Sequence, residues 1–177
     1  MYDIDGSSQR NRRNEQQSSQ KPPIRISFFP PIPPQGLQAS IVIKTEIRPS
    51  EKKDAVIKAV RTLFPLADLS VNEQQVSLRT EDFRVLDHFS KRLLDQQILD
   101  AVRKAILRGT AGKSLTTGEP TFTEFYLNKQ PALLDRVVVC DPDEAPLGPI
   151  VVRIVSENLL EIIDLYCPKF EWFHSEK

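Results

Sequence analysis

The string Gly109-Thr-Ala-Gly112-Lys113-Ser114 comes nearest in this chain to a phosphate-binding loop. Such a loop needs Gly-x-x-x-x-Gly-Lys-Ser/Thr between a strand and a helix, so that backbone N–H groups and a helix N-terminus converge on the phosphates. Leu107 stands where the first glycine is required, and the string follows a helical pattern instead of preceding one. A helix C-cap accounts for both glycines. Cys140 and Cys167 lack Cys-x-x-Cys spacing, and His88 and His174 stand at no metal-ligand interval, which predicts two buried structural thiols and no metal site. Asp141, Asp143 and Glu144 offer hard-cation oxygens, but Pro142 and Pro146 interrupt them without a glycine turn, so they read as a surface loop. No Ser/His/Asp or Cys/His arrangement has a supporting context. The expectation is a protein that is not an enzyme and carries no cofactor.

Binding of RNA or DNA phosphates asks for cations on one side of the fold. Along residues 82–108, at about 100° per residue, Arg92 and Arg103 nearly eclipse, Lys104 and Arg108 share a second stripe, and Arg84 and Lys91 lie on a third. That spread reads as solvated helix surface unless Lys129 or Arg136 adds to one stripe. The segment Phe125-Tyr126-Leu127-Asn128-Lys129-Gln130 sets an aromatic ring beside amide and ammonium donors at a strand end, the groups that stack on and hydrogen-bond unpaired bases. Alternation along the strand buries one of Phe125 and Tyr126, leaving one ring for a ligand.

These residues must be positioned by the elements around them. Leu37–Ile47 alternates apolar and polar residues and predicts a half-buried strand. Val56, Ile57, Val60, Leu63 and Phe64 recur at helical spacing over about 51–64 until Pro65 stops them. Val71–Arg79 predicts a second strand with a polar turn at Asn72–Gln74. Residues 82–108 hold the longest helical pattern, one helix or two broken near Asp95–Gln97 and ended by Gly109 and Gly112. Thr121–Leu127, Arg136–Cys140 and Ile150–Val155 read as three antiparallel strands with short connectors. A final helix capped by Ser156 stops before Pro168. The expected order is β-α-β-α(α)-β-β-β-α, a single α+β domain with helices packed on one face of a mostly antiparallel sheet.

The chain has 177 residues, with 24 basic and 24 acidic side chains. This balance removes any global electrostatic footprint of a nucleic-acid or membrane protein, so cations must act locally. Residues 1–36 hold five Gln, five Ser and six of the fourteen Pro, a composition that predicts a disordered arm. The PPIPP segment at 30–34 suits a stiff polyproline II spacer or an aromatic-groove ligand. The uncharged run from Ile26 to Ile43 is broken by four prolines, and no signal peptide opens the chain, so no membrane segment and a cytoplasmic location are expected. Residues 84–136 carry nine basic against six acidic groups, and 137–177 carry three against eight. The positive middle third suits RNA. The acidic C-terminal third, with the aromatic tail Phe170-Glu-Trp172-Phe173 in residues 169–177, suits docking of a protein partner or a second copy.

Two blocks resemble a small archaeal family, uncharacterised protein family two hundred and one. One is Gln96-Gln-Ile-Leu-Asp-Ala-Val-Arg-Lys-Ala-Ile-Leu-Arg-Gly109; the other is Phe125-Tyr-Leu-Asn-Lys-Gln-Pro-Ala132, continued by Pro146-Leu-Gly-Pro-Ile150. The resemblance covers roughly residues 38–168. It implies a fold similar to that of a large-subunit ribosomal protein that binds 5S RNA, a cytoplasmic RNA-binding role linked to RNA processing, and no assigned enzymatic activity or cofactor. This chain departs from the pattern where Asp95, Gln96 and Gln97 replace an Arg-rich stretch and where Pro131 interrupts the Asn-Lys-Gln-Ala run. Arg10, Arg12, Arg13, Lys21 and Arg25 of the arm could replace part of that charge. The expectation is a non-catalytic RNA-binding domain over 37–168, with phosphates met by Arg92, Arg103, Lys104, Arg108 and Lys129 and bases or sugars by Asn128 and Gln130. A protein-interaction module or homo-oligomeric adaptor is the alternative.

Overall fold

The computed structural model describes residues 32–110 and 121–169. Most of the expected N-terminal arm, the Gly112-Lys113-Ser114 part of the loop string and the aromatic tail from Phe170 lie outside the described residues.

Each strand forms where apolar residues alternate. Strand β1, Ser40–Glu46, buries Ile41, Ile43 and Thr45. After it come helix α1, Lys53–Leu63, and a hairpin of β2, Ser70–Val71, with β3, Gln75–Thr80. The hairpin turns at Asn72, whose Oδ1 accepts from the N–H groups of Gln74 and Gln75, so the expected second strand is two strands around the predicted polar turn. A 3-10 turn at Phe83–Leu86 leads into α2, Asp87–Asp95, and α3, Leu99–Arg108. Strand β4, Thr121–Asn128, runs into the short helix α4, Lys129–Ala132, then to β5, Pro149–Ser156, and α5, Leu159–Tyr166. The sheet order is β2-β3-β1-β5-β4, antiparallel throughout.

The expected strand Arg136–Cys140 makes only one bridge, Leu127 with Val139, so the observed order is β-α-β-β-α-α-β-α-β-α. Part of the reason lies just past the end of α2, where the Gln96 side-chain amide takes both backbone groups of Val137: Oε1 accepts from its N–H at 2.7 Å and Nε2 donates to its carbonyl at 3.0 Å. A residue clamped this way cannot join a second ladder.

Register brings the buried strand residues to one side. Leu78, Ile43, Val152 and Phe125 form one row across four strands, and Ile41, Ile154 and Thr123 form the next. The helices pack on this side, with Val56, Val60 and Leu63 of α1, Phe89 and Leu93 of α2, Val102 and Ile106 of α3, and Leu159 and Ile162 of α5 in one core. Phe64, Phe89 and Phe125 stack at 5.6 and 5.9 Å between centroids, joining the end of α1 to the sheet through α2. Ser156 closes β5 and accepts the Asn158 N–H at 3.0 Å through Oγ, so it aligns the start of α5 from within the strand instead of capping it directly. Among the described residues no helix is long and apolar enough to cross a membrane.

Candidate nucleic-acid interface

With every buried strand residue on the helix side, the alternate residues make an opposite face that no helix covers among the described residues. Register places Glu124, Arg153, Val42 and Arg79 in one row across β4, β5, β1 and β3. The neighbouring row is Tyr126, Val151, Lys44 and Ser77, and Phe122 stands beside Val155. Arg79 and Lys44 are exposed, while Tyr126 and Phe122 are half-buried. Arg79 and Arg153 flank Val42 two strands apart, about 10 Å. The Arg153 guanidinium carbon lies 4.0 Å from the Phe122 ring centroid, a cation-π contact, and Nη1 lies 4.0 Å from Glu124 Oε2. Where β1 leaves this face, Arg48 lies against Gly148 at φ 75°; a Cβ there would be strained and would sit 3.5 Å from the guanidinium.

The β4 border of the sheet is closed by backbone. Asn128 N–H donates to the Val138 carbonyl at 2.9 Å, and Cys140 N–H donates to the Tyr126 carbonyl at 3.1 Å. Nearer the strand start, Gly109 approaches so closely that a Cβ would lie 2.3 Å from the Glu124 carbonyl oxygen. Only glycine fits there, which answers the role of Gly109 more fully than helix capping does, since its φ of −62° is ordinary helical backbone. Between these contacts, a cavity of about 340 Å³ is lined by Arg108 from the end of α3, by Phe122, Glu124 and Tyr126 from β4, and by Cys140 and Asp141. The Tyr126 hydroxyl donates to Glu124 Oε1 at 2.7 Å, and that hydrogen bond to a carboxylate raises the phenol's pKa. Burial raises the Cys140 thiol and pushes Cys167 up to about 12, so both remain thiols at neutral pH, as the spacing implied. Among the described residues no group of three His, Cys, Asp or Glu could hold a metal ion.

The seven residues expected at the site are dispersed. Arg103 is buried, with Nη1 donating to the Cys167 carbonyl and Nη2 pairing with Asp164 of α5. Lys129 is buried, with Nζ donating to Glu51 Oε2 at 2.7 Å and to the Glu46 carbonyl at 2.9 Å. Both cations are engaged by partners inside the fold. Arg92 stands between Asp95, at 3.1 Å, and Asp135, whose Oδ2 lies 3.3 Å from Nε, close enough for an ion pair although not aligned as a hydrogen bond. Asn128 Oδ1 accepts the Gln130 N–H at 3.0 Å and caps α4. Exposed Gln130 faces a separate groove between α1 and α4. Lys104 and Arg108 are exposed on one stripe of α3, and neither pairs with an acidic side chain among the described residues. Of Phe125 and Tyr126, the strand buries Phe125 and leaves Tyr126 to the outer face. Lys44, Arg79, Glu124 and Arg153 escaped the sequence reading; the signal was present in the alternation of β1, β3, β4 and β5, but only the register sets them side by side.

No family model matches the chain. A UPF0201 protein of Sulfurisphaera tokodaii is 33% identical over 134 residues, spanning 73% of this chain and 87% of that protein. A UPF0200/UPF0201 protein of Archaeoglobus fulgidus is 39% identical over 120 residues, 67% of this chain, and this chain spans only 33% of its length. Among solved structures, an uncharacterized UPF0201 protein superposes with a TM-score of 0.60 at 34% identity, covering 73% of this chain and 94% of the other. The UPF0201 protein of Methanococcus jannaschii superposes with a TM-score of 0.61 at 27% identity, covering 75% and 96%. By sequence and by fold, this chain belongs to the UPF0201 family of archaeal proteins.

Proposed function

We propose that the protein is a non-catalytic cytoplasmic RNA-binding protein that uses the uncovered sheet face. The observation that carries this reading is the shared placement of Lys44, Arg79 and Arg153 with the Tyr126 ring on that face. Cations spaced across a sheet meet successive phosphates, and a half-exposed ring offers a surface to an unpaired base. Lys104 and Arg108 extend the cations around the β4 border, since Arg108 lines the cavity that Tyr126 also lines.

The test is the affinity for a single-stranded and a structured RNA between 50 and 200 mM salt. Neutralising several phosphates makes binding fall by roughly an order of magnitude or more over that range. A flat response, or no binding at 50 mM, overturns the reading.

A further inference from the structure

We propose that the cavity at the β4 border receives one unpaired nucleobase of a single-stranded RNA, a base bearing an exocyclic amino group. This rests on the RNA-binding reading above and narrows it to the class of RNA and the kind of base. At about 340 Å³ the cavity is at the small end of ligand pockets, suited to a base and not to a folded peptide segment. Its walls carry three separate chemistries that a nucleotide needs together. The Tyr126 ring supplies a stacking surface, and its hydroxyl is held on Glu124. Glu124 is acceptor-only when ionised; Tyr126 occupies one oxygen, and the other has the Arg153 guanidinium only at 4.0 Å, so it retains acceptor capacity. Arg108 at the rim is exposed and unpaired among the described residues, with Lys104 one turn earlier on the same stripe. Guanidinium is the side chain best matched to phosphate.

The ligand class follows from these groups. A carboxylate accepts from the amino groups of adenine, cytosine or guanine, whereas uracil offers only a ring N–H and two carbonyls that a carboxylate repels. A base already paired in a duplex cannot turn its edge and face into the cavity, and the A-form groove is read mainly by shape and backbone. The cavity therefore distinguishes single strands from duplex, and amino bases from uracil. The sheet-face cations do neither.

The experiment measures fluorescence anisotropy of labelled ten-nucleotide oligoadenylate, oligocytidylate and oligouridylate and of an RNA hairpin duplex, using the full chain. The wild type should hold the adenylate and cytidylate strands at least about fivefold tighter than the uridylate strand and the duplex. Tyr126→Ala should weaken the single strands by about tenfold, and Tyr126→Phe, which keeps the ring, should stay within about threefold of wild type. Glu124→Gln should erase the preference against uridylate while Arg108→Ala lowers the salt dependence and leaves that preference intact. Equal affinity for duplex and single strand, or a Tyr126→Ala protein that binds as wild type while Lys44→Ala with Arg79→Ala weakens binding, overturns the cavity assignment and leaves the sheet-face reading standing. Failure of every RNA to bind at 50 mM salt overturns both.

Discussion

Lys104 and Lys129 carry the same ammonium, and in the sequence each follows a polar residue, Arg103 and Asn128, yet they occupy opposite environments. Lys104 is exposed on α3, while Lys129 is buried against the start of α1 with Glu51 and the Glu46 carbonyl as partners. Glu51 is itself tied, since Oε2 also accepts the Arg48 N–H at 2.9 Å. Removing one member of a buried pair leaves the other charge without compensation, so Lys129→Ala should lower unfolding free energy by about 3–5 kcal/mol. Lys104→Ala should stay within about 0.5 kcal/mol. Urea titration of both variants checks this, and a Lys129→Ala cost below about 1 kcal/mol would show the pair to be solvated. Nothing local distinguishes these lysines, because the partner of Lys129 is 78 residues away. Arg103 was opaque for the same reason, its partners being Asp164 of α5 and the Cys167 carbonyl just past its end, which meet it only in the folded chain. Tyr126 was legible in part: alternation alone put it and Phe125 on opposite faces, and burial of Phe125 decided which.

At the scale of elements, the sequence located most boundaries because each coincides with a local signal. The break between α2 and α3 falls at Gln96–Ile98, near the expected position, and is a complete helix stop. The Ile98 N–H returns to the Leu93 carbonyl at 3.1 Å and the Gln97 N–H to Leu94 at 3.0 Å, with Gln97 at φ 57°. That position normally holds glycine, since a Cβ in the left-handed region is strained. Gln97 is exposed, so Gln97→Gly removes that strain without loss of packing. The variant should gain about 0.5–1 kcal/mol, seen as a rise of a few degrees in Tm. An unchanged or lower Tm would mean that the glutamine side chain contributes a contact of its own. The break also ends the continuous stripe on which Arg92 and Arg103 would have eclipsed, and Arg108, at the end of α3, lines the cavity at the β4 border. Arg136–Cys140 was misleading because strand composition describes side chains, whereas strand formation needs free backbone groups. Gln96 takes those of Val137, a tertiary contact with no local signature.

For the whole molecule, equal numbers of basic and acidic groups mean that the proposed RNA binding must depend on placement and not on total charge. The sheet separates two surfaces: Lys44, Arg79 and Arg153 on the uncovered face, and the helix layer with exposed Lys58 and Arg61 of α1 on the other. A helix packed on a sheet places those α1 charges about 15 Å from the uncovered face. This exceeds the Debye length of about 8 Å at physiological salt. Lys58→Glu with Arg61→Glu takes the formal charge from zero to minus four, while Lys44→Ala with Arg79→Ala takes it only to minus two. If total charge governed binding, the first pair would be the more damaging. Local placement predicts the reverse: the α1 pair should leave affinity for single-stranded RNA at 150 mM salt within about twofold. The sheet-face pair should reduce the slope of log affinity against log salt by about 1.4, from two lost phosphate contacts on a single strand. A larger loss from the α1 pair would move the interface to the helix layer, where Lys129 and Arg103 are already committed to acidic partners and the exposed cations of α1, α2 and α3 would have to build it.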